Sequence, residues 1–264
     1  MSTYQRTGLS AADPSVTKIY GERNAKTSSQ YFLPYVTEAA TILDVGCGPG
    51  TITADLAKLA AQGNTIGVDF SEDVVKLAAT SFSDITNLKF QVADANDLKD
   101  FADNSFDIVH CHQLLVHSPD PVKILKEFYR VCKPGGFIAC RESSPAVVLS
   151  FKPDVPILRA YWDRMLSFMP TVGGNPQAGR DLETWAKKAG LGAEGGKLVA
   201  TKSPIWNPGH LLRVTGPAVD QALQWKLATR EELDEWAEAW NEWENTKDHE
   251  WVYEAGEIVC WKGK

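Results

Sequence analysis

The feature that most constrains the fold is an apolar run that ends in a glycine-rich turn. The run Ile42-Leu43-Asp44-Val45 leads into Gly46-Cys47-Gly48-Pro49-Gly50, and a helical pattern begins at Thr51. The glycines allow unusual backbone dihedral angles, and they let a ligand approach more closely than a Cβ would. The free N–H groups at the start of the following helix favour an anion. This order of strand, glycine turn and helix predicts a Rossmann-like sheet with a cofactor at its first turn.

Short apolar, β-branched runs alternate with helical patterns from Thr41 to Cys140. Such alternation is typical of a parallel sheet with helices on both faces. Two more strand patterns follow later in the chain, so we expect an α/β, doubly wound, mostly parallel seven-stranded sheet. The predicted strands are residues 41–45, 65–69, 88–93, 106–111, 136–141, 197–203 and 257–261, and the predicted helices are 51–61, 72–81, 121–131 and 178–189.

The segments outside these elements predict a cap and a lid. Prolines such as Pro145, Pro153 and Pro170 indicate a helical excursion out of the sheet after residue 141. We expect a single domain over residues 1–264, with an N-terminal helical cap at 1–40, a cofactor-binding core at 41–141, and helical insertions at 142–177 and 204–250 that form a substrate lid.

Composition and charge exclude several classes of function. A net charge of −7 without a basic block argues against nucleic acid as a partner. No run approaches the roughly 18 apolar residues of a membrane helix, and no signal-peptide pattern begins the chain, so no membrane contact and a cytoplasmic location are expected. The five cysteines have neither disulfide nor metal-site spacing, which predicts reduced thiols and no metal. The sequence leaves open whether the protein forms a homodimer.

Acidic residues end the next two predicted strands. A carboxylate at Asp69, followed by Phe70, can accept both hydroxyls of a ribose, and Asp94, followed by Ala95, can accept the amine of an adenine. The alternatives are a helix N-terminal acid at Asp69 and a turn cap at Asp94. A dinucleotide site competes for the same turn, but its fingerprint requires a third glycine where this chain has Thr51.

The run Ile42–Gly50, the acid Asp69, the segment Ala93-Asp94-Ala95, the strand Phe106-Asp107-Ile108-Val109 and the block 130–136 together resemble the class I methyltransferases that depend on S-adenosylmethionine (SAM). More narrowly, they are similar to the ubiquinone and menaquinone biosynthesis branch and its fungal secondary-metabolism relatives. The resemblance implies SAM as cofactor and S-adenosylhomocysteine (SAH) as product. It further implies that Arg23 approaches the methionyl carboxylate, and that the cofactor-binding residues are Tyr20, Arg23, Asp44, Gly46, Cys47, Gly48, Asp69, Phe70, Asp94, Ala95 and His112.

Histidines follow the fourth strand, where a doubly wound sheet carries out its chemistry. His117 is the candidate general base because an imidazole titrates near neutrality, and a packing or turn role is its alternative. His112 and Gln113 are expected to line the methyl-donor pocket. Methyl transfer itself needs mainly alignment and removal of a proton, so a large catalytic constellation is not expected.

The acceptor pocket is expected under an aromatic lid. Thr229 and Glu232 form a capping-box pattern ahead of tryptophans at helical spacing, a pattern that favours packing in a core. Trp162 and Trp206 are therefore the expected pocket tryptophans. We expect methyl transfer to oxygen, carbon or nitrogen of a small aromatic or hydrophobic molecule. The alternatives are a SAM-binding protein without transferase activity, such as a partner subunit or a pericyclase-like enzyme, and an NAD-dependent oxidoreductase.

Overall fold

The structure is a computed structural model that describes residues 21–206 and 217–264. The described residues form one seven-stranded sheet with the strand order β3-β2-β1-β4-β5-β7-β6. β7 runs antiparallel to both of its neighbours, whereas the other pairs are parallel. The strands are β1 (Thr41–Val45), β2 (Asn64–Asp69), β3 (Leu88–Val92), β4 (Phe106–His112), β5 (Cys132–Lys152), β6 (Lys197–Trp206) and β7 (Glu250–Trp261). The predicted Rossmann-like fold is confirmed.

Helices cover the sheet and continue into the lid. They are α1 (Ala25–Ser28), α2 (Thr51–Leu59), α3 (Glu72–Ser81), α4 (Pro121–Val131), α5 (Pro156–Phe168), α6 (Ala178–Lys188), α7 (Pro217–Gln224) and α8 (Arg230–Glu244), with short 3-10 turns at Leu33–Tyr35, Leu115–His117 and Met169–Val172. Several begin at side-chain caps, because Ser71, Asp120 and Thr229 each accept a backbone N–H at a helix start. The predicted capping box of Thr229 and Glu232 is present in full.

Both faces of the sheet are buried, which explains why the central strands are almost continuously apolar. On one face, side chains such as Phe128 of α4 and Leu182 of α6 pack against β4 and β5. On the other face, Phe32 and Leu56 pack against Ile42 of β1. The N-terminal segment before β1 thus belongs to the core, although its described part is a short α1 and a 3-10 turn.

The boundary of the first insertion differs from the expectation. Residues 142–152 do not leave the sheet, because β5 continues to Lys152 and pairs with β7 from Phe137 to Lys152, with register shifts after Ser144. The register shifts between Ser144 and Val148, and Pro145 lies in this irregular stretch, where a missing N–H is tolerated. Helix begins only with α5 at Pro156. Of the prolines that indicated an excursion, Pro145 therefore marks a bulge in a long strand, whereas Pro153 and Pro170 follow its end.

The second insertion is likewise shorter than 204–250. β6 extends to Trp206 and β7 begins at Glu250, so strand pairing occupies both ends of the range. Between them, the tryptophans of α8 pack against the C-terminal part of β5 and the N-terminal part of β7. We call this group the tryptophan cluster; its members include Phe151, Trp162, Trp236, Trp240, Trp243 and Trp251. Trp240 stacks on Trp251 with ring centroids 4.9 Å apart. The lid therefore has its own hydrophobic core.

Candidate cofactor and acceptor site

A cavity of about 510 Å³ lies at the carboxyl ends of the parallel strands, the expected place for a ligand in a doubly wound sheet. We divide the residues that line it into two groups, which we call walls. The glycine-loop wall consists of residues 44–49, Thr51, Ile52, 69–71 and 93–96. The aromatic wall consists of Ser143, Pro145, Trp162, Met165, Leu166, Met169 and Tyr253. The cavity is also lined by Arg23, residues 112–114 and residues 116–118.

The three loop glycines have different reasons to be glycine. All three have positive φ angles, of 72° at Gly46, 54° at Gly48 and 84° at Gly50. A Cβ on Gly46 would come within 3.0 Å of Leu114, and one on Gly50 within 2.6 Å of Phe90, so both are required by protein packing. A Cβ on Gly48 would meet nothing within 4 Å. Of the three glycines, Gly48 is therefore the one where a ligand could come close to the backbone, and it lines the cavity.

Asp69 holds the glycine loop in place from the end of β2. Its Oδ2 accepts the N–H of Gly48 at 3.2 Å, and its Oδ1 accepts the N–H of Ser71 at 3.0 Å. Ser71 rather than Asp69 is the N-cap of α3. One carboxylate thus joins the turn after β1 to the start of α3, and it lines the cavity.

The loop after β3 places Asp94 and Ala95 in the same wall. Asp94 Oδ1 accepts both the backbone N–H and the side-chain amide of Asn96, each at 2.9 Å. Asp94 therefore caps its own turn, as the alternative interpretation expected, while it also lines the cavity. Phe70, the residue after Asp69, is 54% exposed and also lines the cavity.

Asp44 performs a structural task within the site. Its Oδ1 lies 2.7 Å from Nδ1 of His110, and its Oδ2 accepts the hydroxyl of Thr53 at 2.6 Å. All three side chains are buried. Asp44 thus connects β1 to β4 and α2 directly beneath the glycine loop, and His110 packs in the core instead of facing a substrate.

The segment after β4 brings His112, Gln113 and His117 to the cavity. Burial, aided by the positive charges of Arg23 and Arg141, holds the pKa of His112 well below its usual range. His112 is therefore neutral near pH 7. Gln113 has a φ of 55°, which is uncommon for a residue other than glycine. His117 ends the 3-10 turn that carries the segment back toward α4.

Sequence analysis missed Glu142, which it assigned to the lid. In the structure Glu142 lies on β5, is fully buried, and accepts the backbone N–H groups of Leu114, Leu115 and Val116. Burial raises the pKa of Glu142 to about 7. The signal available in the sequence was weak: Glu142 comes two residues after the apolar run Phe137–Cys140, and an acid that continues a buried strand requires buried partners.

The aromatic wall is built from the lid. Trp162 of α5 donates its indole N–H to the carbonyl of Pro145 at 3.0 Å, which ties the helix to β5. Its ring lies 5.8 Å from that of Tyr253 at an interplanar angle of 23°. Trp162 lines the cavity as expected, whereas the tryptophans of α8 pack in the tryptophan cluster.

The remaining expectations concern the cysteines, Tyr20 and Trp206, a metal site and membrane spans. Cys47 lines the cavity, and burial raises the pKa of its thiol. All five cysteines are free. Tyr20 and the side chain of Trp206 lie outside the described residues. Within the described part of the chain, no group of three or more His, Cys, Asp or Glu side chains could hold a metal ion. No described helix has both the length and the apolarity needed to span a bilayer.

Comparisons with known proteins agree with this geometry. An uncharacterized methyltransferase of Schizosaccharomyces pombe is 36% identical over 193 residues, covering 69% of this chain and 67% of that protein. The "Probable methyltransferase ltbC" of Aspergillus luteorubrus is 30% identical over 266 residues, covering 91% and 92%. A ubiquinone biosynthesis O-methyltransferase of Hydrogenovibrio crunogenus is 39% identical over 102 residues, covering 38% and 42%.

A solved structure shares the fold. Phosphoethanolamine N-methyltransferase 2 of Haemonchus contortus, in complex with phosphomonomethylethanolamine and SAH, superposes with a TM-score of 0.55 at 19% identity, covering 90% of this chain and 52% of that one. The family model described as "Methyltransferase domain" matches residues 37–169. The chain therefore belongs to the methyltransferase domain family, and the prediction of a class I, SAM-dependent methyltransferase is confirmed.

Proposed function

We propose that this protein transfers the methyl group of SAM to a small, uncharged organic acceptor with an aromatic or otherwise apolar body. The observation that carries the proposal is that one cavity is lined by both the glycine-loop wall and the aromatic wall. One wall has the features of a nucleoside and amino-acid site, and the other offers apolar surface. Two ligands bound side by side would meet beside residues 112–117.

The glycine-loop wall fits the cofactor in several respects. Gly48 has open space where a Cβ would stand, so a ligand can approach its backbone. No side chain caps the start of α2, whose residues Thr51 and Ile52 line the cavity, and this helix terminus favours a carboxylate. Arg23 adds a positive charge at the same cavity. SAM, when bound, supplies a methyl group on a positively charged sulfur.

The acidic strand ends would hold the nucleoside. A carboxylate has about four lone-pair sites, so one carboxylate can accept from backbone N–H groups and from ligand hydroxyls. We assign Asp69 to the ribose hydroxyls. Asp94 and Ala95 are assigned to the adenine edge, and the exposed ring of Phe70 to the adenine face. Asp44 contributes by holding the loop through His110 and Thr53.

The aromatic wall favours an uncharged acceptor. Its described residues include methionines, a leucine, a tryptophan and a tyrosine, but no carboxylate that would attract an ammonium group. Methionine adapts to irregular shapes, and stacked aromatic rings favour a flat ligand. The named relatives support a small molecule, because one is a ubiquinone biosynthesis O-methyltransferase and the neighbouring structure binds phosphomonomethylethanolamine.

A proton must leave an oxygen or nitrogen acceptor when it is methylated. His117 lines the cavity after β4 and is our candidate base. His112 is held neutral by burial and by the nearby arginines, so it serves as a hydrogen-bonding partner that adds no positive charge. Because the cofactor carries a positive charge at the reacting sulfur, a neutral His112 avoids charge repulsion there.

Calorimetric titration with SAM and SAH tests the cofactor assignment. We expect micromolar binding of both by the wild-type protein and at least about tenfold weaker binding by Asp69→Asn. Asp73→Asn is the matched control, because this exposed acid lies four residues away in α3 and outside the cavity. Binding of NADH but not of SAM or SAH would reassign the glycine loop to a dinucleotide.

Product mass tests the transfer itself. Incubation with SAM and a panel of phenols, quinols and aromatic amines should yield a product heavier by about 14 daltons for one methyl group. Trp162→Ala should raise the KM for that acceptor while leaving SAH affinity unchanged, because Trp162 belongs to the aromatic wall. Tight SAM binding with no methylated product across a broad panel would favour a SAM-binding protein without transferase activity.

A further inference from the structure

The carboxylate of Glu142 binds three consecutive backbone N–H groups. Its Oε1 accepts from Leu114 at 3.1 Å and from Leu115 at 2.8 Å, and its Oε2 accepts from Val116 at 3.0 Å. Glu142 is 0% exposed. A buried charge-assisted arrangement of this kind is strong and geometrically specific. It fixes the start of the 3-10 turn Leu115–His117 to the middle of β5.

Other backbone contacts fix the same segment. The N–H of Gln113 donates to the carbonyl of Arg141 at 2.8 Å, and the N–H of Asn175 donates to the carbonyl of Val116 at 2.9 Å. Gln113 nevertheless has a φ of 55°, a left-handed conformation that is strained for a residue other than glycine. A conformation of this kind persists only when its surroundings hold it.

The segment that Glu142 fixes touches both halves of the cavity. Leu114 packs against Gly46, whose Cβ, if present, would lie 3.0 Å from the Leu114 side chain. Gln113, Val116 and His117 line the same cavity as the glycine-loop wall and the aromatic wall. A displacement of residues 113–117 would therefore disturb the glycine loop and the candidate base together.

We propose that Glu142 is a positioning residue that holds residues 113–117 in the conformation needed for cofactor binding and methyl transfer. The ligand part of this inference rests on the proposed function. Glu142 itself does not line the cavity. It acts through the backbone of the segment, and its role requires the ionised carboxylate, because a protonated oxygen would present a donor to N–H groups that need an acceptor.

The surroundings of Glu142 make its ionisation sensitive to pH. Burial raises its pKa to about 7, and the three N–H groups oppose that shift. From β4, Cys111 faces it with Sγ 3.8 Å from Oε1, and burial raises the pKa of that thiol, so Cys111 stays neutral. The segment 114–116 presents only backbone N–H groups to it. Because the N–H groups lower the pKa of the buried carboxylate, a segment that detached and left Glu142 buried would give it a still higher pKa. Attachment of the segment should therefore strengthen as the pH rises above about 7.

Amide hydrogen exchange followed by mass spectrometry tests the attachment without any ligand. Glu142→Gln keeps the shape but places an amide N–H₂ where one carboxylate oxygen stood. We expect the peptide covering residues 113–118 to exchange at least about tenfold faster in this variant, as the loss of charge-assisted hydrogen bonds implies. Asp107→Asn is the control, because Asp107 also accepts a backbone N–H, from Thr41 at 2.8 Å. This contact lies at the N-terminal ends of β1 and β4, whereas the cavity lies at the carboxyl ends of the strands.

Titration with SAH tests the positioning role. SAH affinity should fall about tenfold in Glu142→Gln and stay within about twofold in Asp107→Asn. Faster exchange with unchanged SAH affinity would overturn the proposal, because Glu142 would then only stabilise the fold. Unchanged exchange at 113–118 would also overturn it. Failure of the wild-type protein to bind SAH would refute the proposed function and with it the ligand part of this inference, whereas the exchange result would still decide the attachment.

A measurement on the wild-type protein covers the case in which Glu142→Gln does not fold. Exchange at residues 113–118, corrected for the intrinsic effect of pH, should change little between pH 6 and 7 and should slow once the pH rises above the pKa of about 7. Peptides from β1 and α8 serve as internal references. A corrected rate at 113–118 that is independent of pH would refute the role of the ionised carboxylate.

Discussion

Substitution of Gly50 by alanine should destabilise the protein without directly touching a ligand. A Cβ there would lie 2.6 Å from Cζ of Phe90 and 3.1 Å from Cβ of Ala78. The ring of Phe90 has little room to move, because Gly67 of β2 packs against it, with an ideal Cβ only 2.7 Å away. The left-handed conformation costs about 1 to 2 kcal/mol and overpacking about 1 to 3. We therefore expect a loss of about 2 to 5 kcal/mol.

Gly48→Ala is the matched variant, two residues earlier in the same turn. Its φ of 54° carries the same conformational cost, but nothing lies within 4 Å of its Cβ position. The expected loss of stability is only about 1 to 2 kcal/mol. The added methyl group projects into space that we assign to the cofactor, so SAH affinity should fall at least about tenfold.

Urea unfolding, followed by tryptophan fluorescence, measures the free energy of unfolding of both variants, and calorimetry measures SAH affinity. The two variants should rank in opposite orders in the two measurements. Gly50→Ala should lose more free energy of unfolding, whereas folded Gly48→Ala should bind SAH more weakly. If both variants lose the same stability, the packing argument from Phe90 is wrong. If Gly48→Ala binds SAH like the wild type, the ligand does not approach the loop at this residue.

Three further predictions concern the surroundings of the site. Asp44→Ala removes the partner of the buried His110 and Thr53, so urea unfolding should show a loss of about 3 kcal/mol, and a loss below about 1 kcal/mol would contradict the network. Trp240→Ala should cost about 3 to 5 kcal/mol because it empties the tryptophan cluster, yet SAH titration should show unchanged affinity. His112 has a depressed pKa in the folded state, so the unfolded state binds more protons and stability falls as the pH drops below about 6.5. Replacing it with Gln should remove up to about 1.4 kcal/mol of that fall per pH unit, and an unchanged pH dependence between 6.5 and 5.5 would show that His112 is not responsible.

The sequence by itself determined the parts of this protein that depend on neighbouring residues. The run from Ile42 through Gly50 specifies strand, turn and helix in order, because each step is a local preference of the backbone. Asp69 and Asp94 could be placed at strand ends for the same reason. In a doubly wound sheet, these ends meet at one edge, so local patterns sufficed to bring the glycine loop and both acids to one cavity.

Only the tertiary structure decided how the site is supported. Glu142 lies 26 to 28 residues from the N–H groups it binds, and Asp44 lies 66 residues from His110. The reasons for glycine at positions 46 and 50 are side chains from elsewhere in the chain. The extension of β5 to Lys152 likewise depends on pairing with β7, about a hundred residues later, whereas its prolines locally favour an excursion. Such contacts follow from which elements become neighbours, and no local pattern of residues encodes that.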